Sequence, residues 1–199
     1  MTIKHVAPSL VFDSEFQSRL VEWRHLLHRS PEFGFDEVFT SNFIADKLES
    51  FGIKVVRGIG KTGVLGILKK GGGLNSIGLR ADMDALKIQE KNEFAYRSQY
   101  DGMMHACGHD GHSAMLLGAA EYLADRVTFS GTVYFIFQPA EEHGKGARAM
   151  IKDGLFSDYN IDAVYGLHNL PGLPAGTFAI RPGSIMASES SFHIQLRGR

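Results

Sequence analysis

The sequence predicts an α/β protein, a sandwich of helices around a mixed sheet, and three observations carry that prediction. Helical and strand-like patterns alternate along the chain, which favours helices packed on a sheet over a helical bundle or an all-β barrel. One run, Thr132–Gln138, is strongly apolar and reads as a core strand. The length of 199 residues with 44% hydrophobic side chains suits one main domain with a real core, since domains run at roughly 100–200 residues.

Each element has its own signal. From Asp13 to Arg29, Phe16, Leu20, Trp23, Leu26 and Leu27 recur at helical spacing, with Asp13 or Ser14 as N-cap and Pro31 beyond the end. A second helix is predicted from about Asp36 to Ser50, with Phe39, Phe43, Ile44 and Leu48 inward and Gly52 as the stop. Strands are expected at Lys54–Val56, Thr62–Lys69 and Ser76–Met83, the last two forming a hairpin across Gly71, Gly72 and Gly73. That triple glycine is not a phosphate loop, because no Lys-Ser/Thr follows and it opens no helix. Between Lys87 and Met104 the pattern is polar and irregular. A small-residue helix follows over His109–Arg126, with Met115, Leu116, Ala119 and Leu123 inward. After the strand Thr132–Gln138 come a helix over Gly144–Asp153, a buried strand over Ala163–His168, and strand-like runs at Thr177–Arg181 and Ser191–Leu196.

Composition narrows the function classes. A net charge of -1 gives no field favouring nucleic acid or an anionic membrane, and no basic-aromatic stripe is present. No apolar stretch approaches the roughly 20 residues of a membrane span. The start, MTIKHVAPSLVFDSEF, is too weak for a signal peptide, and one cysteine excludes an internal disulfide framework. The expectation is a cytoplasmic protein whose partners are met at local sites.

Chemistry concentrates in four places. His105-Ala-Cys107-Gly-His109-Asp-Gly-His112 packs four potential metal ligands or supports into eight residues at a predicted helix start. There the positive helix end and a divalent cation would both lower the thiol pKa, making Cys107 an anionic ligand. Glu141 and Glu142 follow the apolar strand, where the carboxyl edge of a sheet opens a crevice. Two adjacent carboxylates cannot both point the same way, so one can bind a metal while the other faces water as a base. His168 closes a strand, and Asp82 and Asp84 share a face at another strand end, from which they could orient a liganding histidine. Structural readings stand beside these: a buried small hydrophobe for Cys107, turn residues for the aspartates, hydrogen-bonded groups for His105, His112 and His168, and structural roles for His25 and His28. No Gly-x-Ser-x-Gly elbow is present.

The strings RADMDAL, MHACGHDGH, QPAEE and GLHN, in this order and spacing, resemble the amidohydrolases that include hippurate hydrolase, N-acyl-amino-acid deacylases and indole-acetyl-amino-acid hydrolases, within the aminoacylase and carboxypeptidase clan. HRSPEFGFDE resembles that family's first inter-helix segment, and Lys87 stands where the family usually has proline. The resemblance covers essentially the whole chain. It implies an α/β/α metallo-aminopeptidase-like catalytic domain over 1–185 and the start of a lid and dimerisation domain over 186–199. It also implies two divalent ions (Mn, Zn, Ni or Co) with Cys107, His109, Glu142 and His168 as ligands, Glu141 as base, and Asp82, Asp84 and His112 as supports. The implied reaction is hydrolysis of an N-acyl amino acid to a carboxylate and an amino acid, in a protein that is a homodimer at full length and receives a further histidine ligand from its carboxyl-terminal part. Two other readings compete: a thiol hydrolase with Cys107 as nucleophile, and a metal-binding module or truncated fragment without turnover.

Overall fold

The computed structural model describes residues 13–188, 190 and 192–198. By their contacts they fall into two units, one over Phe12–Asn169 and one that contains the residues from Leu170 onward.

Among the described residues the first unit holds every helix and strand: α1 (Ser14–Arg29), α2 (Val38–Ser50), β1 (Lys54–Ile59), β2 (Gly63–Lys70), β3 (Ser76–Asp82), α3 (His109–Arg126), β4 (Gly131–Gln138), α4 (Gly146–Lys152) and β5 (Ala163–Gly166). Asp13 caps α1 by accepting from the Phe16 N–H at 2.8 Å. The strands form one mixed sheet in the order β1-β2-β4-β3-β5, antiparallel on the β1-β2-β4 side and parallel across β4, β3 and β5.

Alternation along β4 explains the layers. Val133, Phe135 and Phe137 face a core made with Trp23 of α1, Ile44 and Leu48 of α2, and Leu117 of α3. Tyr134 and Ile136 face the opposite core with Leu65, Met150 of α4 and Leu155. The chain is therefore an α/β/α sandwich in this unit. Phe135 is fully buried in the central strand. Replacing it with alanine is expected to cost about 3–5 kcal/mol by denaturant titration; a loss typical of a surface site would show that the sheet is not covered on that face.

Several expectations are corrected. The hairpin lies between β1 and β2, because β4 occupies the slot between β2 and β3 and pairs with both. The Gly71–Gly73 segment instead wraps the start of β4, where the Gly73 N–H donates to Ser130 Oγ at 2.8 Å. The most apolar strand takes the central position because only there are both of its faces covered. Phe39 and Met115 are exposed, and the buried stripe of α3 runs through Ala114, Leu117 and Ala120. β5 is a largely exposed edge strand ending at Gly166, so His168 lies beyond it rather than on a buried strand.

In the second unit the described residues form no helix or strand, including 177–181 and 192–196; Ser191 lies outside the described residues. Phe178, Ile180, Phe192, Ile194 and Leu196 alternate as a strand would, yet they are exposed, and without a neighbouring ladder the pattern alone makes no strand. Among the described residues no helix is long and apolar enough to cross a membrane.

Candidate metal centre

The parallel part of the sheet assembles the candidate site. β3, β4 and β5 run the same way and end at Asp82, Gln138 and Gly166, so the segments after them emerge on one edge of the sheet. The amino-terminal end of α3 arrives at the same edge. Gly108 enters that helix at φ 88°, a conformation that favours glycine, with the Asn169 side chain packed against it. Four stretches far apart in sequence thereby present Asp82 and Asp84, Cys107 to His112, Glu141 and Glu142, and His168.

His109 is the hub. Its Nδ1 donates to Asp84 Oδ1 at 3.2 Å, which fixes the ring and leaves Nε2 for another partner. That Nε2 is buried and has no hydrogen bond among the described residues, although Glu142 Oε1 stands 3.7 Å away, Asp82 Oδ2 3.7 Å and Glu141 Oε2 4.0 Å. Glu142 Oε1 is likewise buried and unpartnered. Two buried polar atoms facing each other without a bond are costly unless something sits between them.

A divalent cation fits that gap. The donor atoms of Cys107, His109 and Glu142 lie within 4.8 Å of one another, as do those of Asp82, His109, His112 and His168. Bonds of about 2.0–2.3 Å to nitrogen, oxygen and sulfur need donors spaced on this scale. Cys107 Sγ and His168 Nε2, 3.4 Å apart, link the two groups. Thiolate, imidazole and carboxylate together suit a borderline transition ion.

Charge around the centre is acidic. Burial alone would raise the Asp82 carboxyl, but the hydrogen bond from His112 at 2.6 Å, the nearby His109, and Arg80 at 2.7 Å outweigh it and bring it to about 2. With only the protein's own charges around it, the Cys107 thiol is pushed up to about 12, by burial first and then by Glu142, Asp82 and Glu141. Of the two influences expected to lower this thiol, the helix end and a divalent cation, the first is outweighed by burial and by the carboxylates. A thiol nucleophile is disfavoured for the same reason. Burial and the neighbouring Glu141 and Asp84 also raise Glu142, with His109 acting the other way.

The adjacent carboxylates hold a second correction. Glu141 and Glu142 both reach toward His109 Nε2 because they sit in a turn rather than a strand or helix. Ala140 precedes them at φ 45°, a strained state for a residue with a Cβ, costing about 1–3 kcal/mol unless the surroundings hold it. The Glu142 N–H donates to Asp84 Oδ2 at 3.1 Å, so Asp84 anchors both His109 and this turn.

The remaining sequence candidates have distinct places. Asp82 and Asp84 act differently, the first on His112 and Arg80, the second on His109. His112 Nδ1 is bound to Asp82 and its Nε2 faces Asn169. Asn169 is absent from the sequence-derived residues, although it stands in the GLHN string. His105 is buried away from these contacts; neither ring nitrogen has a partner among the described residues, and burial lowers it to about 4. His28 is buried between Asp110 Oδ2 at 2.8 Å and Glu90 Oε1 at 3.1 Å; burial would lower its pKa, but these two hydrogen bonds raise it. Lys87 places its ammonium 4.0 Å from the centre of the Phe33 ring.

A family model described as Peptidase family M20/M25/M40 matches residues 78–197. The chain is 49% identical over 185 residues to a hippurate hydrolase of Campylobacter jejuni, covering 93% of this chain and 48% of the relative. It is 42% identical over 189 residues to an N-acetylcysteine deacetylase of Bacillus subtilis, covering 94% of this chain and 49% of the relative. The crystal structure of the Bacillus subtilis YXEP protein, described as a dinuclear metal binding peptidase from the M20 family, superposes with a TM-score of 0.77 at 43% identity, over 81% of this chain and 46% of that one. The chain thus spans about half the length of the curated relatives it matches.

Proposed function

We propose that this chain, which belongs to peptidase family M20/M25/M40, carries one part of a two-metal centre that hydrolyses the amide bond of N-acyl amino acids. The observation that carries this reading is the pair of buried, unpartnered atoms, His109 Nε2 and Glu142 Oε1, facing each other beside Cys107. Cys107, His109, Glu142 and His168 are the proposed protein ligands, with Asp82, Asp84 and His112 behind them. Two divalent ions held there, of Mn, Zn, Ni or Co type, would polarise the amide carbonyl and acidify water.

The chain's own residues supply the rest. Glu141 would take a proton from water and return it to the leaving amine, a role supported by its being more exposed than Glu142 and outside the Cys107 group. Asp84 holds His109 in the tautomer whose Nε2 faces the centre. The similarity to a hippurate hydrolase and an N-acetylcysteine deacetylase supports a small N-acyl amino acid as substrate. In a longer protein, residues 186–199 would open a lid and dimerisation domain, with a homodimer and a further histidine ligand completing the site; the family resemblance of the motif strings suggests this arrangement. The lone cysteine as a metal ligand suits the reducing cytoplasm.

The test combines metal analysis with a panel of N-acyl amino acids. Two divalent ions per chain in the active form are expected, with hydrolysis lost to EDTA and restored by Mn²⁺ or Zn²⁺. Activity that survives EDTA but is lost to thiol alkylation would replace this reading with a Cys107 nucleophile.

A further inference from the structure

We propose that Glu37 is a positioning residue: its buried carboxylate holds the N–H of Ala140 and so fixes the turn that aims Glu141 and Glu142 at His109. The proposal rests on the reading of Glu141 and Glu142 given above.

Glu37 directly precedes α2, where a carboxylate would ordinarily cap its own helix. It makes no such bond. Glu32 does that work instead, its two oxygens accepting from the Phe39 N–H at 2.9 Å and the Thr40 N–H at 2.8 Å. The Glu37 carboxylate turns into the protein, where it is fully buried. One oxygen accepts from Ala140 N at 2.8 Å; the other accepts from Thr62 Oγ1 at 2.5 Å, in the β1-β2 connection. Burying a carboxylate is expensive, and burial does push its pKa up. Thr62 satisfies one oxygen, and the other is left for a single distant backbone N–H, so the reason for burying the group is sought at that N–H.

Ala140 supplies it. With φ at 45° and the side chain buried, it keeps its conformation only if its neighbours hold it. Glu37 takes its N–H, and its carbonyl accepts from Gly146 N at 3.1 Å. Gly34 packs so closely that a Cβ there would come within 2.7 Å of Ala140 Cα and 2.6 Å of His143 Nδ1. Asp84 grips the next N–H but one, at Glu142. Two carboxylates on either side of Glu141 therefore clamp the turn, and the segment Glu32–Glu37 is a brace beneath it.

The probe is Co²⁺, whose visible spectrum reports coordination geometry and whose titration gives an affinity independent of turnover. Glu37→Ala is expected to weaken Co²⁺ binding about 10–100-fold, as loss of an outer support does, to shift the Co²⁺ bands, and to lower kcat while leaving KM unchanged. Glu37→Gln, which keeps an oxygen for Ala140 N–H and offers an N–H to Thr62, is expected to restore most of both. Glu32→Ala, which loses only the α2 cap, is expected to lower Tm with an unaltered Co²⁺ spectrum. If Glu37→Ala does not fold, Gly34→Ala presses on Ala140 from the other side and is expected to shift the same bands. Folded Glu37→Ala or Gly34→Ala protein with parental Co²⁺ affinity and spectrum would overturn the proposal. Glu142→Gln, titrated alongside, separates the two readings: if it too binds Co²⁺ like the parent, the site assignment fails and takes the brace with it, whereas its loss of binding beside an unaffected Glu37→Ala sinks the brace alone.

Discussion

Glu141→Gln is expected to lower kcat by about 10²–10⁴-fold, the usual contribution of a positioned general base, while the metal content of the protein stays at the parental level. Glu142→Gln is expected to do the reverse in order of cause, losing metal first and activity with it. The two residues are neighbours on one turn, yet their surroundings differ. Glu142 Oε1 is buried, unpartnered and grouped with the donor atoms of Cys107 and His109. Glu141 is twice as exposed, at 38% against 19%, and its Oε2 stands 4.0 Å from His109 Nε2 on the open side. An amide in place of Glu141 keeps the shape and removes the basic oxygen, so only proton transfer should suffer. Elemental analysis after dialysis, paired with kcat on the longest active form of the protein, makes the comparison. Equal metal loss in both variants would show that the two carboxylates share one role.

The second large effect is at Cys107. A thiol pushed up to about 12 is thiolate in about one molecule in 10⁴ at pH 8, where an ordinary cysteine is thiolate in roughly a quarter. Alkylation of the metal-free protein by iodoacetamide is therefore expected to be about 10³-fold slower than that of a free cysteine at pH 8. The sign follows from the protonated form being favoured: the rate should climb about tenfold per pH unit from pH 7 to 10, because every unit below the raised pKa still increases the thiolate fraction tenfold. Added Zn²⁺ reverses the electrostatics, and its uptake should release a proton as the thiol ionises. The loaded protein should then resist alkylation across the same range, because the thiolate is engaged. A fast, pH-independent reaction of the metal-free protein would mean that the carboxylates do not govern this thiol.

The α/β class, most element positions and the residue types of the candidate site are legible from local pattern alone. Helix α3 is legible over His109–Arg126 because its small residues and Arg126 end mark it locally, and β4 because the unbroken apolar run Val133–Phe137 has few other uses. The motif strings were legible because metal chemistry demands particular side chains at short spacings. Strand order was not: nothing local to Gly71–Gly73 states that β4, more than fifty residues later, will enter between β2 and β3, since pairing is decided by which strand can bury both faces. The direction of side chains was equally hidden. Adjacent carboxylates diverge in any regular element, and only the positive φ of Ala140, held by Glu37 from another part of the chain, lets Glu141 and Glu142 face one histidine. The state of Cys107 depends on the same convergence, because the helix end is encoded nearby in the sequence, while the burial that raises the thiol and the carboxylates that add to it, Asp82 at the end of β3 and Glu141 and Glu142 after β4, come from two strand ends that only the folded sheet brings together.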